Sequence, residues 1–229
     1  MLIILDKKVP EAAKQKLRAF GEVIEFTTSG ITYEAISGHP DIFFFQAETQ
    51  WIVAPNLPGE YLEILIREKV PFRMGKNPVR DHYPGTAGYN AVFSDEMLIH
   101  NLDLTDPVIL QYTVEKNRIH VSQGYCRCNL LVLHHHSFIT SDAGIFKILA
   151  GKGFAVLFVD PAEIILPGFA HGFIGGACGI FRDQIFFMGS LSCHRQGKEI
   201  KTFLQDLHYE IIEFYDGPLF DGGGALFLE

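Results

Sequence analysis

Apolar residues recur at helical spacing in five stretches of the chain: 11–20, 60–70, 106–116, 143–152 and 198–207. The spacing of Leu62, Ile64 and Leu65, or of Ile200, Phe203 and Leu204, puts one apolar stripe on each helix. Pro10 opens the first stretch, and proline suits a helix start because its missing N–H would have no partner there. Each helix runs into a short, mostly apolar strand: 23–26, 72–74, 118–122, 155–159 and 210–214. A polar or Gly-rich bend follows, and then two strands folded about a few polar residues.

Four such hairpins are read: 42–45 with 51–54, 91–93 with 97–100, 130–133 with 138–140, and 179–181 with 185–188. Their turns fall on Ala47-Glu48-Thr49, Ser94-Asp95-Glu96, His134 to His136, and Arg182-Asp183-Gln184. Asn56, Asn101, Asp142 and Ser190 follow the second strands and are suited to cap the next helix. The fifth hairpin is split between the termini, with 225–228 giving its first strand and Leu2 to Leu5 its second. Pairing these two removes two exposed sheet edges. The pattern therefore predicts five units in pseudo-symmetric array, an α/β-propeller closed by its terminal strands, as a single domain over residues 1–229. A doubly wound parallel sheet fits less well, because three strands separate successive helices and no glycine fingerprint follows the first strand.

The charge balance narrows the partners. Nineteen Lys and Arg against 27 Asp and Glu leave a formal net charge of -8, which disfavours nucleic acid and anionic membrane surfaces. No uninterrupted apolar run reaches spanning length, and four cysteines without an export signal point to free thiols in a reducing cytoplasm.

The five-unit array ending in Asp221-Gly222-Gly223-Gly224 resembles the guanidino-modifying enzyme superfamily, the pentein fold. Gln123-Gly124-Tyr125, Ser141 to Ile145 and Leu166 to Gly176 look closer still to an uncharacterised bacterial family assigned to that fold. The resemblance implies either a thiol-dependent amidino hydrolase or transferase, or a non-catalytic protein-binding ring like translation initiation factor 6. In the enzymes a nucleophilic cysteine follows the last glycine run, but here Leu228 falls at that place and no cysteine lies beyond Cys193.

In such an array the bends before the hairpins gather on the axis, so the candidate residues are read from them. Cys128 is the candidate nucleophile and His39 the acid/base; Asp41, Asn90, Cys178 and Asp221 are expected to hold a small cationic amine or guanidino ligand. Cys126 and Cys128 alternate with Arg127 at a strand entrance, which predicts both thiols on one face. Cys126-x-Cys128 lacks the usual zinc-ligand spacing, so neither metal nor cofactor is expected. The long stretch from Pro161 to Gly176 reads as a lid, and His134 to His136 as a solvated turn.

Overall fold

Leu2 to Leu5 is wholly apolar, and it sits where such a strand is needed, between two others. The computed structural model describes residues 1–47, 49–94 and 97–228, so the turn residues Glu48, Asp95 and Glu96 lie outside the described residues, as does Glu229. In chain order the elements open with β1 (Leu2–Asp6), α1 (Glu11–Leu17) and β2 (Glu22–Phe26). They continue through β3 (Phe44–Gln46), β4 (Trp51–Val53), α2 (Gly59–Arg67) and β5 (Phe72–Met74). Next come β6 (Val92–Phe93), β7 (Met97–His100), α3 (Pro107–Tyr112) and β8 (Asn117–His120). The helical turn α4 (Cys126–Asn129) leads into β9 (Leu130–Leu133), β10 (Ser137–Thr140), α5 (Ala143–Gly151) and β11 (Ala155–Phe158). The last are β12 (Cys178–Phe181), β13 (Gln184–Phe187), α6 (Gly197–Asp206), β14 (Glu210–Glu213) and β15 (Leu226–Leu228).

These strands form five sheets of one design, ordered β15-β1-β2, β3-β4-β5, β6-β7-β8, β9-β10-β11 and β12-β13-β14. The central strand of each pairs antiparallel with one neighbour and, across a helix, parallel with the other. A two-stranded hairpin needs only a tight turn, whereas a parallel pair needs a crossover long enough to hold a helix. That requirement sets the repeat length. The terminal strands pair as expected, with Leu2 opposite Leu228, Ile3 opposite Phe227 and Ile4 opposite Leu226. Among the described residues no helix is long and apolar enough to cross a membrane.

Contacts divide the chain into two interleaved units. The first comprises Met1–Thr27, Gly38–Pro40 and Cys128–Glu229, and the second Thr28–Ser37 and Asp41–Arg127. The first holds three of the sheets. Its core has one cluster in which Ala13 and Leu17 of α1 pack with Ile3, Leu5, Phe186 and Phe214, and another in which Ile200 and Leu204 of α6 pack with Ile185, Phe187 and Leu191. Phe186 stacks on Phe214 with ring centroids 5.7 Å apart, meets Phe20 edge-on at 5.1 Å and lies 5.0 Å from Phe227. The second unit holds β3-β4-β5 and β6-β7-β8, with Tyr61 and Leu65 of α2 and Ile109 of α3 turned inward.

The caps depart from the sequence reading. Asp142 does cap α5, accepting from the Ile145 N–H at 2.8 Å. Ser190 caps only the 3-10 turn Leu191–Cys193. The Asn56 amide instead pairs with both backbone groups of Val79, and Asn101 closes a local turn by accepting from the Asp103 N–H. Helix α3 is capped by Asp106, next to Pro107, because the cap must directly precede the first helical residue and Asn101 is too far upstream. Cys126 to Asn129 is helical rather than a strand entrance, and at ~100° per residue two positions two apart point to nearly opposite sides. The shared face expected of Cys126 and Cys128 is therefore not formed. His134 to His136 is exposed at its turn, as expected.

The stretch 161–176, read as a lid, is anchored at its base. Ile165 bridges Phe220, the Gly172 N–H donates to the Ile164 carbonyl, and the Phe173 N–H donates to the Asp221 carboxylate at 2.9 Å. The base of the stretch is thus closed by backbone bonds and by the Asp221 carboxylate.

Candidate functional site

Polar side chains are buried in the first unit where β1 ends and where the glycine run precedes β15. Asp6 is the residue on which β1 leaves the apolar core, and its carboxylate caps the turn by accepting from the Lys8 N–H at 2.6 Å. Asp221 stands before Gly222, and one of its oxygens accepts from Phe173 N–H while the other accepts from Gly223 N–H at 3.0 Å. Both acids are 1 % exposed.

Glycines let the carboxylates lie this close to backbone. A Cβ placed on Gly38 would meet Asp6 Oδ1 at 2.2 Å, and one on Gly176 would meet Asp221 Oδ1 at 1.9 Å. Gly223 and Gly224 have φ of 69° and 75°, the left-handed region in which a side chain is strained, and the N–H groups of Gly222 and Gly224 both donate to the Gly176 carbonyl. The run is thus a tight backbone turn folded against Gly176.

His39 lies between the two acids. Nε2 is 3.8 Å from Asp6 Oδ2 and Nδ1 is 4.0 Å from Asp221 Oδ1, beyond hydrogen-bond reach on both sides. The ring is 1 % exposed, and among the described residues neither nitrogen meets a partner at hydrogen-bond geometry. Burial, and secondarily the positive charge of Lys8, pulls its pKa from 6.5 down to about 3. The imidazole is therefore neutral at pH 7, with one nitrogen an acceptor and the other a donor. A reactive atom of Cys128 lies nearby, since its Sγ is within 4.8 Å of a His39 ring nitrogen.

The structure accordingly gathers three of the expected residues, His39, Cys128 and Asp221, in one unit and adds Asp6. Asp6 was legible only as the end of a strand; the signal was a single acid closing an otherwise apolar run. Cys178 takes a different place. It is a member of the apolar cluster with Leu131, Ile139 and Phe187, and its thiol donates to the Ile174 carbonyl at 3.0 Å. Asp41 and Asn90 belong to the second unit, where the Asn90 amide donates to the Asp41 carbonyl at 3.2 Å.

The second unit has a buried histidine of its own. His100 places one ring nitrogen 2.7 Å from Thr105 Oγ1 and the other 2.8 Å from the Gly124 carbonyl, and burial lowers its pKa to about 4. Unfolding returns both histidines to about 6.5, so between pH 6.5 and 4 the unfolded chain binds up to two protons that the folded chain does not. Stability then falls as pH falls, by up to ~1.4 kcal/mol per pH unit for each proton. His39→Gln and His100→Gln are each expected to remove one proton's worth of slope from denaturant midpoints measured across that window. An unchanged slope in either variant would show that its imidazole is protonated in the folded state.

Residues 4–226 match the family of unknown function DUF6873. No curated protein matches the sequence. Among solved structures the chain resembles DDAH from Pseudomonas aeruginosa complexed with citrulline, with a TM-score of 0.57 and 10% identity, covering 93% of this chain and 91% of that one. It resembles SxtG, an amidinotransferase from Microseira wollei, with a TM-score of 0.53 and 10% identity over 93% and 88% of the two chains. The fold these neighbours share with it is the pentein fold.

Proposed function

The chain belongs to the DUF6873 family, and we propose that its first unit binds a small cation bearing N–H groups, an amine or a guanidinium, at Asp6, His39 and Asp221. The observation that carries this reading is His39, a buried neutral imidazole with neither nitrogen hydrogen-bonded among the described residues and a carboxylate about 1 Å beyond hydrogen-bond reach on each side. A buried polar group without a partner costs ~1–3 kcal/mol, so a ligand that satisfies it binds with that advantage. Two acids favour a cation over a neutral ligand. A guanidinium offers five N–H donors in one plane, enough to reach a ring nitrogen and a carboxylate oxygen together. The structural neighbours, a dimethylarginine hydrolase and an amidinotransferase by name, handle ligands of this chemical class.

The test is thermal. A cation at about a hundred times its Kd stabilises the folded state by ~2.7 kcal/mol, a rise in Tm of roughly 5–10 °C for a chain of this size. Ethylguanidinium and agmatine are expected to give that rise, and choline, which has no N–H, is expected to give none. Asp6→Asn should abolish the response. No shift with any N–H cation would leave a non-catalytic scaffold as the remaining reading.

The proximity of Cys128 to His39 favours a second reading, thiol chemistry on the bound guanidino carbon with His39 as acid/base. Magnitudes decide against it in the resting protein. A base with a pKa of about 3 is far from the near-neutral value that serves proton transfer best, and it supplies no positive charge at pH 7 to hold a thiolate. Cys128 is therefore expected to react with iodoacetamide at pH 6 no faster than an unactivated thiol. Rapid alkylation at pH 6 would restore the enzyme.

A further inference from the structure

The second unit contains a cleft that the cation site does not involve. It has a volume of about 310 Å³ and is lined by Asn77, Pro78, Arg80, Pro84, Tyr89 and Leu104 among others, at the low end of the range for small-ligand clefts. Its wall is fixed by hydrogen bonds. The Asn56 side chain takes both backbone groups of Val79 at 2.9 Å, the Arg80 N–H donates to the Gly85 carbonyl at 3.1 Å, and the Ala87 N–H donates to the Pro84 carbonyl at 3.0 Å. Pro78 and Pro84 hold φ at their own positions, so little backbone freedom remains to be lost when a ligand enters.

Arg80 is the charged residue of this lining, and its guanidinium makes no ion pair or side-chain hydrogen bond among the described residues. Asp81 and Asp106 are otherwise engaged. Asp81 pairs with His82 at 2.9 Å. Asp106 accepts from the N–H groups of Lys76, Asn77 and Val108 and from the Tyr89 hydroxyl. The arm of Arg80 is held at its root as well: a Cβ on Gly85 would lie 2.7 Å from Arg80 Cβ and 3.0 Å from its Cγ and Cδ.

We propose that this cleft binds a small organic anion through its carboxylate or phosphate group. The guanidinium fork of Arg80 meets two oxygens in parallel, Asn77 of the lining offers a further N–H donor, and Pro78, Pro84 and Leu104 cover the carbon skeleton. The site is independent of the cation site and can fail or stand without it.

The experiment is a titration of the full chain, followed by amide chemical shifts, with succinate and separately with inorganic phosphate at low ionic strength. Saturable shifts confined to residues 77–89 and 104 are expected, with dissociation constants in the millimolar range and weakening as salt rises. The tighter of the two probes identifies the oxyanion. Arg80→Gln, an exposed position, should weaken binding about tenfold or more. Gly85→Ala, which keeps the charge but displaces its stem, should also weaken it. Absence of saturation with both anions, or affinity unchanged in Arg80→Gln, would overturn the proposal.

Discussion

A chain ending at Gly224 is expected to aggregate rather than to fold with a frayed end. The five residues removed include all of β15, whose Leu226 and Leu228 are 1 % and 6 % exposed. Burying two leucines contributes roughly 3–6 kcal/mol, a large share of the ~5–15 kcal/mol that holds a domain folded. Phe227 is lost with them, and its ring lies 5.0 Å from Phe186 and 5.6 Å from Phe181. The consequence is worse than the energy alone, because the edge of β1 left open carries Leu2, Ile3, Ile4 and Leu5. An apolar strand with unpaired backbone groups is a template for another copy. Light scattering and a thermal melt of the truncated chain measure this directly. A monodisperse protein melting cooperatively near the wild-type temperature would mean that β15 contributes little to the fold.

The second large effect is expected at Asp221. Asp221→Ala strands two backbone N–H groups, that of Gly223 in a buried place and that of Phe173 in a half-buried one. At ~1–3 kcal/mol each, the loss is about 2–6 kcal/mol, or a fall in Tm of roughly 5–20 °C. Asp221→Asn keeps one acceptor oxygen and turns an NH₂ toward the other N–H, so about half of that loss should remain. Gly176→Ala attacks the same contact from the opposite side, since its Cβ would sit 1.9 Å from Asp221 Oδ1. The two substitutions remove one arrangement between them and should be less than additive when combined. Faster hydrogen exchange at the Phe173 and Gly223 amides is the local signature. Additive losses, or amides still protected in Asp221→Ala, would show that the carboxylate does not organise this turn.

This second prediction bears on how the cation site is tested. Asp221 serves the backbone as well as the proposed ligand, so its loss lowers stability whether or not a ligand exists. Asp6→Asn keeps an acceptor oxygen for the Lys8 N–H while removing the charge, so it bears on binding more than on folding.

The repeat was legible in the sequence because each unit must solve the same local problem. An apolar central strand such as β1 or β10 needs a neighbour on either side, the turn residues permit one antiparallel partner, and the amphipathic helix provides the crossover to a parallel one. Strand alternation, helical spacing and Pro10 are properties of a few neighbouring residues, which is why helices such as Ala143–Gly151 fall within a residue or so of expectation. The pairing of Leu2 to Ile4 with Leu226 to Leu228 could be read as well, since two orphan edges of one repeat have a single complement.

The site was legible only in part, and for a physical reason. Burial and hydrogen-bond partnership depend on what the chain brings in from far away. Cys178 and Cys128 look alike in sequence, but one gives its thiol to the Ile174 carbonyl within an apolar cluster and the other lies within 4.8 Å of His39. Cys126 and Cys128 looked like alternating strand positions, and tertiary packing turned that segment into a helical turn. Asp221 was marked by its glycines, yet its acceptance of the Phe173 N–H, 48 positions away, was decided by the fold. Above all, nothing local distinguishes Asp6 from a surface cap or His39 from a satisfied core histidine. Their meeting at 3.8 Å is a product of the chain crossing itself, and the burial that comes with that crossing lowers the imidazole pKa.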